Sequence, residues 1–429
     1  MTTLATAAVV GLGYIGLPTA VSLATGGLEV IGVDVNPDIV ERVNRGEAPF
    51  AEPDLSVAVS GAVAMGRLRA QREMPSADAY IIAVPTPFTG DRGTGLEESS
   101  PVASRRADLS FITEAAEAIA EVLRGGEVIV LESTAPPGTT RRVSELIAAR
   151  RPDLHLPHVP DSPADVYVAH CPERVLPGRI MIEIATNARV IGGLTPACAA
   201  RAVALYRTFC HGELIVTDAA SAEMAKLAEN AYRDVNIAFA NELSLICQRL
   251  GLDVWEIRQM ANHHPRVEIL RPGPGVGGHC IAVDPWFIVE SAPDLAQLTS
   301  MARAVNDHMP AHTAEQIVAT SRRFRDPRIA CLGLSFKADV SDLRESPAID
   351  ITARIAAALP DVKVLAVEPH VATLPGEFDD LDNVVLTDVE HAIADADVIA
   401  LLVDHSCFRA IKKSHLAGKA VYDTRGMWA

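Results

Sequence analysis

The chain has 429 residues, and at roughly 150 residues per domain this length predicts two or three domains with sizeable cores. Hydrophobic residues make up 49% of it and charged residues 22%, which is typical of a folded, alanine-rich globular protein and excludes a disordered one. A formal net charge of −17 disfavours nucleic acid and anionic membrane surfaces as partners, because both would repel the chain.

The seven cysteines are scattered, and no two of them form a CxxC pair. This pattern favours neither a zinc ribbon nor a disulfide framework, so we expect reduced thiols and no metal site. The apolar N-terminal stretch lacks a basic region and contains Gly-Leu-Gly, so it predicts a strand, a turn and a helix rather than a signal peptide or a membrane span. We therefore expect a cytoplasmic protein.

The first element of the chain predicts a dinucleotide-binding unit. An apolar strand leads into Gly11-x-Gly13-x-x-Gly16, an alanine-rich helix and a second apolar run that ends at Asp34. Asp34 follows Gly16 by 18 positions, close to the roughly 20 expected for the acidic residue that binds the adenosine ribose. Its carboxylate would accept a hydrogen bond from a free 2′-hydroxyl and repel a 2′-phosphate, so the spacing favours NAD over NADP.

Two more apolar runs, at 77–88 and 126–140, predict strands that end in turns rich in proline and hydroxyl groups. The carboxyl edge of a parallel sheet is where α/β folds bind their ligands. Thr86 and the pair Ser133-Thr134 are thus candidate cofactor contacts, although ordinary turn chemistry explains each of them equally well. The polar segment 89–110 predicts a surface loop to which we assign no chemistry.

The C-terminal third of the chain repeats this order of elements. Residues 327–342, 362–371 and 395–405 parallel the first, second and third strands of the opening, which predicts a second doubly wound domain. Its turn lacks the later glycines, so it should not hold a dinucleotide as the first one does. It could hold a nucleotide diphosphate instead, with Lys337 and Arg344 supplying positive charge.

The segment between these domains, about 215–325, predicts helices. Residues 218–251 run about 30 positions without proline, far beyond the usual helix of roughly 11 to 12 residues, and end in a glycine. Such a helix suits a brace between domains and a dimer element, although a long core helix is the alternative. We expect domains at 1–212, 213–320 and 321–429.

Four polar residues of that helix fall at i, i+3, i+4 and i+7 and so share one face, which carries two cations and an amide. The two cations could bind a diphosphate, and a partly buried lysine could transfer a proton. The alternative is that this face is simply solvated, as charged helix faces usually are. The four residues are Lys226, Glu229, Asn230 and Arg233.

The segment GPGVGGHCIAVDPWF, 273–287, places Cys280 in a glycine-rich loop four residues before Asp284. Unhindered amides could stabilise a thiolate there, and Asp284 would share the face of Cys280 if a helix begins near 280. From these residues alone, a nucleophile and a structural cysteine are equally supported. The adjacent histidines 263 and 264 and the pair His279-Cys280 make poor metal chelates, because neighbouring side chains point in different directions.

Taken together, these segments resemble the nucleotide-sugar 6-dehydrogenases, the UDP-glucose/GDP-mannose dehydrogenase family, over essentially the whole chain. The resemblance implies an α/β fold with two Rossmann-like doubly wound domains joined by a long central helix, NAD as cofactor, a UDP-sugar substrate and a homodimer. It is carried, in the order of the family, by GLGYIGLP, VPTP, ESTAPPGTT, CPERVLPG, EMAKLAENAYRDVNIAFANEL, GPGVGGHCIAVDPWF and LGLSFKADVSDLRESPA.

The resemblance also implies roles for individual residues. Cys280 matches the family's nucleophile. Lys226 matches the lysine that acts as acid and base, and Asn230 matches the residue beside it. Asp284 matches the aspartate that orders the hydrolytic water, and Glu173 matches a glutamate proposed as a base. Substrate-binding positions are matched by Arg174, Val175, Lys226, Asn230, Arg233, His264, Arg266, Gly277, Phe336 and Lys337. Cofactor contacts are matched by Gly11, Gly13, Tyr14, Ile15, Gly16, Asp34, Thr86, Thr134 and Arg344.

Within this resemblance, the residues around Cys280 also indicate which sugar nucleotide is the substrate. His279 is the form found in dehydrogenases of N-acetylated sugars, and Ala282 with the upstream HPRV favours UDP-N-acetyl-D-mannosamine. The expected reaction is a four-electron oxidation of C6 to the uronate through a cysteine thiohemiacetal and thioester, with two NADH formed. The same chemistry on UDP-N-acetylglucosamine or UDP-glucose stays open, as do a two-electron dehydrogenase and a non-catalytic protein that binds NAD and a nucleotide sugar.

Overall fold

The computed structural model describes residues 4–50, 52–89, 106–159, 163–176, 178–278 and 280–428. Most of the 89–110 loop, and His279, on which part of the substrate prediction depends, lie outside these residues. The described residues divide into two compact units: those up to 229 form unit 1, and those from 230 onward form unit 2. In the part of the chain that the structure describes, no helix is both long and apolar enough to cross a bilayer.

Unit 1 is built on an eight-stranded sheet whose central strands are buried, with helices on both faces. Its strands are β1 (Thr6–Val10), β2 (Glu29–Val33), β3 (Leu68–Gln71), β4 (Ala79–Ile82), β7 (Val128–Leu131), β8 (Tyr167–His170), β9 (Arg189–Gly193) and β10 (Leu214–Asp218), with a separate short pair, β5 (Phe88–Thr89) and β6 (Arg106–Ala107). Its helices are α1 (Gly16–Thr25), α2 (Pro37–Asn44), α3 (Leu55–Ala64), α4 (Ser110–Val122), α5 (Thr139–Arg150), α6 (Ile180–Thr186) and α7 (Pro196–Tyr206).

The strand order of this sheet is β10-β9-β8-β7-β4-β1-β2-β3, and its ladders are parallel except for the antiparallel pair β8 and β9. In register, Ala7 lies beside Val30 on one side and beside Ala79 on the other. Every residue of β4 and β7 is buried, as expected for central strands that are covered on both faces. The carboxyl ends of β1, β2, β4 and β7 therefore meet at one edge of the sheet.

Helix α8 (Ala219–Leu250) has 32 residues, of which 219–229 belong to unit 1 and 230–250 to unit 2. The helix ends at the glycine that the sequence predicts. Gly251 adopts a φ of 69°, and the N–H of Leu252 donates to the carbonyl of Cys247 at 2.9 Å, which is the Schellman pattern of hydrogen bonds. The predicted long helix is therefore confirmed at both its length and its end.

Unit 2 continues with α9 (Val254–Ala261), α10 (Asp284–Ser291) and the 25-residue α11 (Gln297–Ser321), followed by a second sheet. This sheet is wholly parallel, with the order β13-β12-β11-β14-β15. Its elements are β11 (Ile329–Leu332), α12 (Pro347–Ala358), β12 (Val364–Val367), β13 (Val384–Leu386), α13 (Val389–Asp395), β14 (Val398–Leu401) and β15 (Ala420–Asp423), with short 3-10 helices at Gly376–Phe378, Ser406–Ala410 and Lys413–Leu416. The predicted class of two Rossmann-like domains and a long central helix is confirmed.

Candidate active site

The glycine turn after β1 is shaped for close approach of backbone to a ligand. A Cβ on Gly16 would lie 1.8 Å from the carbonyl oxygen of Gly11, and one on Gly11, whose φ is 90°, would lie 2.6 Å from that of Ala83. A Cβ on Gly13, in contrast, would meet no heavy atom within 4 Å. Packing therefore requires glycine at positions 11 and 16. Gly13, in contrast, leaves the open space at the start of α1 that a pyrophosphate needs.

Asp34 stands at the carboxyl end of β2, where the NAD hypothesis requires a carboxylate. One oxygen accepts the N–H of Leu12 at 2.8 Å and the other accepts the N–H of Asn36 at 2.9 Å. These bonds hold the half-buried carboxylate in place, and each oxygen retains a second lone pair that can accept from a ribose hydroxyl. The residues present therefore fit an adenosine ribose with an unmodified 2′-hydroxyl.

Tyr14 and Ile15 occupy the turn itself, Ile15 as the N-cap of α1. The ring of Tyr14 stacks on Phe50 with centroids 4.8 Å apart, and its hydroxyl donates to Glu52 at 3.1 Å. The buried Glu52 also accepts the N–H groups of Gly178 and Ile180, each at 3.0 Å. The glycine turn is thus fastened to the end of the CPERVLPG segment.

The hydroxyl groups on the turns after β4 and β7 differ in their hydrogen bonding, and this difference distinguishes structural hydroxyls from candidate cofactor contacts. Ser133 donates to the carbonyl of Val84 at 2.7 Å, so it serves the turn. Thr86 is buried, yet among the residues that the structure describes its Oγ1 has no hydrogen-bond partner. Since buried hydroxyls are normally paired, Thr86 is a stronger candidate for a cofactor contact than the sequence indicated. Thr134 is half-buried on the neighbouring turn.

Glu173 belongs to a buried cluster with Arg189 and Glu132. Arg189 donates to Glu173 at 2.7 Å and lies 3.6 Å from the carboxylate of Glu132, which also accepts from Thr19 at 2.9 Å and from Tyr206 at 3.1 Å. Burial, followed by the like charge of Glu173, raises the pKa of Glu132 to about 7. One guanidinium thus faces two carboxylates away from water, and Glu132 relieves the excess negative charge by holding a proton.

The same segment presents Arg174 to helix α8. Its guanidinium binds Glu229 through two bonds, Nη2 to Oε1 at 2.6 Å and Nε to Oε2 at 3.0 Å, while the N–H of Arg174 donates to Glu173 at 2.6 Å. Val175 packs against the apolar core of unit 1. A bidentate pair of this kind holds the CPERVLPG segment firmly, so Glu229 serves to position it.

On α8, Lys226 and Asn230 are half-buried and Arg233 is exposed. The side-chain amide of Asn230 donates to Asp284 at 2.5 Å, and Asp284 is 3% exposed. The N–H of Asp284 in turn donates to the carbonyl of Cys280 at 2.9 Å, so a helical turn runs from 280 into α10. Cys280 itself is exposed, which places an accessible thiol one turn before a buried carboxylate.

The glycines before Cys280 are dictated by packing. A Cβ on Gly277 would lie 2.5 Å from the carbonyl oxygen of Glu345 and 2.9 Å from Cβ of Phe336, and one on Gly278 would lie 2.9 Å from the Phe336 ring. The cysteine loop therefore lies against the turn that follows β11, which brings Phe336 to it. Lys337 beside Phe336 is exposed.

Three side chains to which the resemblance assigns binding roles, those of Arg344, His264 and Arg266, lie on the surface of unit 2. Arg344 is exposed and paired with Asp342 through bonds of 2.9 and 2.6 Å. His264 and Arg266 are exposed on the turn after α9, where the N–H of Arg266 donates to the His264 ring at 3.3 Å. The residue after Arg344, Glu345, lies against Gly277 of the cysteine loop, whereas the described contact of His264 is with Arg266.

A basic cavity of about 320 Å³ in unit 2 was missed by sequence reasoning. Arg271, Arg409 and Arg425 line it together with Asp404 and Trp428. Asp404 accepts from Arg425 at 3.1 Å, which leaves an excess of positive charge in a chain of net charge −17. A usable signal existed, because Arg425 comes two residues after the end of β15 and so lies at the carboxyl edge of the second sheet.

A second cluster, Asp339, His370 and His405, has ligand atoms within 4.8 Å of one another. The buried His405 accepts the N–H of Asp339 on Nδ1 at 3.0 Å, and its Nε2 lies 3.1 Å from Glu368. Both ring nitrogens are therefore engaged, one as acceptor and the other as donor. We assign the cluster to structure, not to a metal.

Comparison with known proteins agrees with this geometry. Three models of the UDP-glucose/GDP-mannose dehydrogenase family match the chain in succession: the NAD binding domain at 5–210, the central domain at 220–308 and the UDP binding domain at 330–429. A dehydrogenase that couples NAD to a nucleotide sugar is the class that these domains define. The chain belongs to the UDP-glucose/GDP-mannose dehydrogenase family, and the predicted resemblance and NAD cofactor are confirmed.

Relatives span the whole chain. It is 52% identical to the NDP-N-acetyl-D-galactosaminuronic acid dehydrogenase of Ralstonia nicotianae, over 99% of this chain and 96% of that protein. It is 49% identical to the UDP-N-acetyl-D-mannosamine dehydrogenase of Yersinia pestis, over 99% of each. The solved UDP-N-acetyl-mannosamine dehydrogenase of Staphylococcus aureus matches with a TM-score of 0.83 and 39% identity, over 99% of this chain and 95% of that one.

The buried cluster predicts an unusual dependence of stability on pH. Because the pKa of Glu132 is raised from 4.5 to about 7, the native state keeps a proton that the unfolded chain loses, so stability falls as pH rises through that window. We expect Glu132→Gln, which has no proton to lose, to raise the thermal midpoint relative to the parent at about pH 8, and the gain to vanish near pH 5. Glu145→Gln, an exposed control, should change the midpoint little at either pH. Equal effects of Glu132→Gln at both pH values would contradict this account.

Proposed function

We propose that this enzyme oxidises C6 of UDP-N-acetyl-D-mannosamine to the carboxylate, giving UDP-N-acetyl-D-mannosaminuronate and two NADH. The observation that carries the proposal is the exposed Cys280 one helical turn before Asp284, which is buried and bonded to Asn230. A thiol is what a dehydrogenase needs to pass beyond the aldehyde, since a thiohemiacetal can give up a hydride. The odd number of cysteines also supports a cytoplasmic location.

The first oxidation takes a proton from the C6 hydroxyl and a hydride from C6, which leaves the aldehyde. Bound NAD+ supplies the hydride acceptor in both oxidations. We assign the proton to Lys226 rather than to Glu173, because Glu173 is buried and ion-paired with the equally buried Arg189. In this assignment Glu173 acts by holding its segment in place.

In the second oxidation the Cys280 thiolate adds to the aldehyde carbon and forms a C–S bond and an alkoxide. Loss of the second hydride from that carbon gives a thioester, and water attacks it, breaks the C–S bond and releases the carboxylate and the thiol. Asp284 orients this water, while Lys226 and Asn230 stabilise the oxyanions, a contribution of about 3 kcal/mol for one well-placed donor. Four electrons leave the sugar in all.

For the other end of the substrate, we propose that the basic cavity of unit 2 holds the diphosphate. Three guanidinium groups, those of Arg271, Arg409 and Arg425, can bind phosphate oxygens bidentately. The match of 330–429 to a UDP binding domain supports this assignment. The exposed Lys337 adds a further cation to the same unit.

A second candidate substrate is favoured by the relatives named NDP-N-acetyl-D-galactosaminuronic acid dehydrogenase, which are slightly more similar at 52% than those named for N-acetyl-D-mannosamine at 49%. Both names describe a dehydrogenase and an N-acetylated sugar nucleotide. The two candidate sugars differ in the configuration of the acetamido group at C2 and of the hydroxyl at C4, so the pocket and not the mechanism distinguishes them.

The substrate is tested by steady-state kinetics with UDP-N-acetyl-D-mannosamine, UDP-N-acetyl-D-galactosamine, UDP-N-acetyl-D-glucosamine and UDP-glucose. We expect the highest kcat/KM with the first and two NADH per sugar consumed. A higher kcat/KM with UDP-N-acetyl-D-galactosamine would transfer the proposal to the second candidate. One NADH per sugar would overturn the four-electron scheme altogether.

The role of the thiol is tested by Cys280→Ala. We expect this variant to bind NAD+ and the UDP-sugar with unchanged affinity, as measured by calorimetry, and to form no uronate. Cys407→Ala removes the other exposed cysteine and should keep full activity. Cys280→Ser should accumulate a sugar ester visible by mass spectrometry. Uronate formation at the parent rate in Cys280→Ala would exclude covalent catalysis.

We further propose a homodimer formed through helix α8. Tyr232, Phe239 and Ile246 recur at intervals of seven residues and are 72%, 56% and 46% exposed, so they form an apolar stripe along one side of the helix. Such a continuous exposed stripe is typical of an interaction surface, and a second copy of the same helix is complementary to it.

This assembly is tested by Phe239→Glu, which places a charge in the middle of the stripe. We expect sedimentation equilibrium to find the parent as a dimer and the variant as a monomer, because burying an unpaired carboxylate is costly. Phe111→Glu, at an exposed phenylalanine of α4, is the matched control and should stay dimeric. A monomeric parent protein would overturn the proposal.

A further inference from the structure

Helices α8 and α11 are joined by a buried polar network that ends at the cysteine loop. Arg303 on α11 donates to Oδ1 of Asp234 on α8 at 2.6 Å. The side-chain amide of Asn306 donates to the main-chain oxygen of Asp234 at 3.1 Å and to its Oδ1 at 2.8 Å. All three side chains are at most 1% exposed. The network is thus buried at these three residues, and it reaches the surface where Arg303 also pairs with Asp307, whose side chain is 41% exposed.

Asn241, also fully buried, continues this network by one step. Its Nδ2 donates to Oδ1 of Asn306 at 2.8 Å, and its Oδ1 accepts the N–H of Gly273 at 2.9 Å. Gly273 is the first residue of the loop that carries Cys280. One amide side chain therefore links the helix pair to the backbone of that loop.

The direction of these bonds is fixed independently from both ends. The main-chain oxygen of Asp234 can only accept, so Asn306 must turn its NH₂ toward it and its oxygen toward Asn241. The N–H of Gly273 can only donate, so Asn241 must turn its oxygen toward Gly273 and its NH₂ toward Asn306. Both requirements select the same orientation of Asn241, whatever the protonation state of Asp234.

The rest of the loop is held by close packing and, at its far end, by the bond from Asn230 to Asp284. A Cβ on Gly275 would lie 2.9 Å from Pro347 and 3.1 Å from Pro310, and Gly277 and Gly278 lie against Phe336 in the same way. This packing restricts sideways movement of the loop. The bond from Asn241 fixes the position of the first residue of the loop.

We propose that Asn241 is a positioning residue for the second oxidation, because it fixes the loop that delivers the Cys280 thiol to the aldehyde. The inference rests on the proposed function. The first hydride transfer needs no bond to sulfur, whereas the second needs the thiol within bonding distance of C6. A displacement of the loop by about 1 Å is enough to slow such a step on the order of 100-fold. Loss of Asn241 therefore acts on the second step selectively.

The test is Asn241→Leu, which keeps nearly the same shape and removes both hydrogen bonds. Gln248→Leu is a matched control, since Gln248 also links α8 to α11, through Gln316 at 3.1 Å and His312 at 2.8 Å, but has no bond to the loop. Single-turnover NADH formation is followed from limiting UDP-N-acetylhexosamine, and separately from its 6-aldehyde, which requires only the second oxidation.

We expect Asn241→Leu to slow NADH formation from the aldehyde at least about 10-fold, with the first NADH from the alcohol within about 2-fold of the parent. Gln248→Leu should leave both rates unchanged. If Asn241→Leu does not fold, Asn241→Ser, too short to reach Gly273, replaces it with the same expectation. Equal slowing of both steps, or parent rates from the aldehyde, would overturn the assignment.

These outcomes are distinct from failure of the proposed function. If the parent enzyme itself forms one NADH per sugar and does not oxidise the aldehyde, the thioester scheme is wrong. If the parent forms two and Asn241→Leu behaves like the parent, only the role of Asn241 is wrong.

Discussion

A carboxylate at the end of the second strand, bonded to the turn that follows the first strand, sets the ligand edge of each sheet. In unit 1 the carboxylate is Asp34, which accepts the N–H of Leu12. In unit 2 it is Glu368, which accepts the N–H groups of Leu334 and Ser335 at 2.7 and 2.9 Å. A buried N–H left without an acceptor costs about 1–3 kcal/mol, so these acids hold the turns in the open form that ligand binding requires.

The two turns diverge beyond this shared bond. After Leu12 the chain continues through Gly13, where nothing obstructs an approaching phosphate. After Ser335 it continues through Phe336, whose ring fills the space beside the cysteine loop. Burial raises the pKa of Glu368, but hydrogen bonds from His405 and the two amides outweigh it and leave that pKa below its usual value. The same carboxylate-to-amide hydrogen bonds thus support the cofactor-binding turn in unit 1 and, in unit 2, the turn against which the cysteine loop packs.

Much of this could be predicted from the sequence, because periodicity and glycine spacing act locally. The first strand, turn and helix, the 32-residue α8 and three of the five strands of the second sheet, β11, β12 and β14, lie where the patterns predict them. The helical turn from Cys280 to Asp284 also follows from their spacing of four. These features depend on residues that are close in sequence, and so a single sequence suffices.

The remainder depends on contacts between distant residues. Nothing in CPERVLPG indicates that Glu173 is paired with Arg189 or that Arg174 is paired with Glu229, because the partners lie 16 and 55 positions away. The basic cavity assembles Arg271 with residues beyond 400, and the bond from Asn241 to Gly273 spans 32 positions. Local sequence patterns carry no information about these pairings, and only the fold reveals them.

The accessibility of the cysteines has a consequence for chemical probes of this enzyme. Five of the seven thiols are buried, and only Cys280 and Cys407 are exposed. Burial, together with the nearby charge of Asp339, raises the pKa of Cys407, which lowers its thiolate fraction at neutral pH and makes it a poor target for electrophiles. A mild covalent fragment should therefore label the protein at Cys280 first. Covalent inhibitors could in this way be selected on the intact protein by mass alone, without an assay for the sugar.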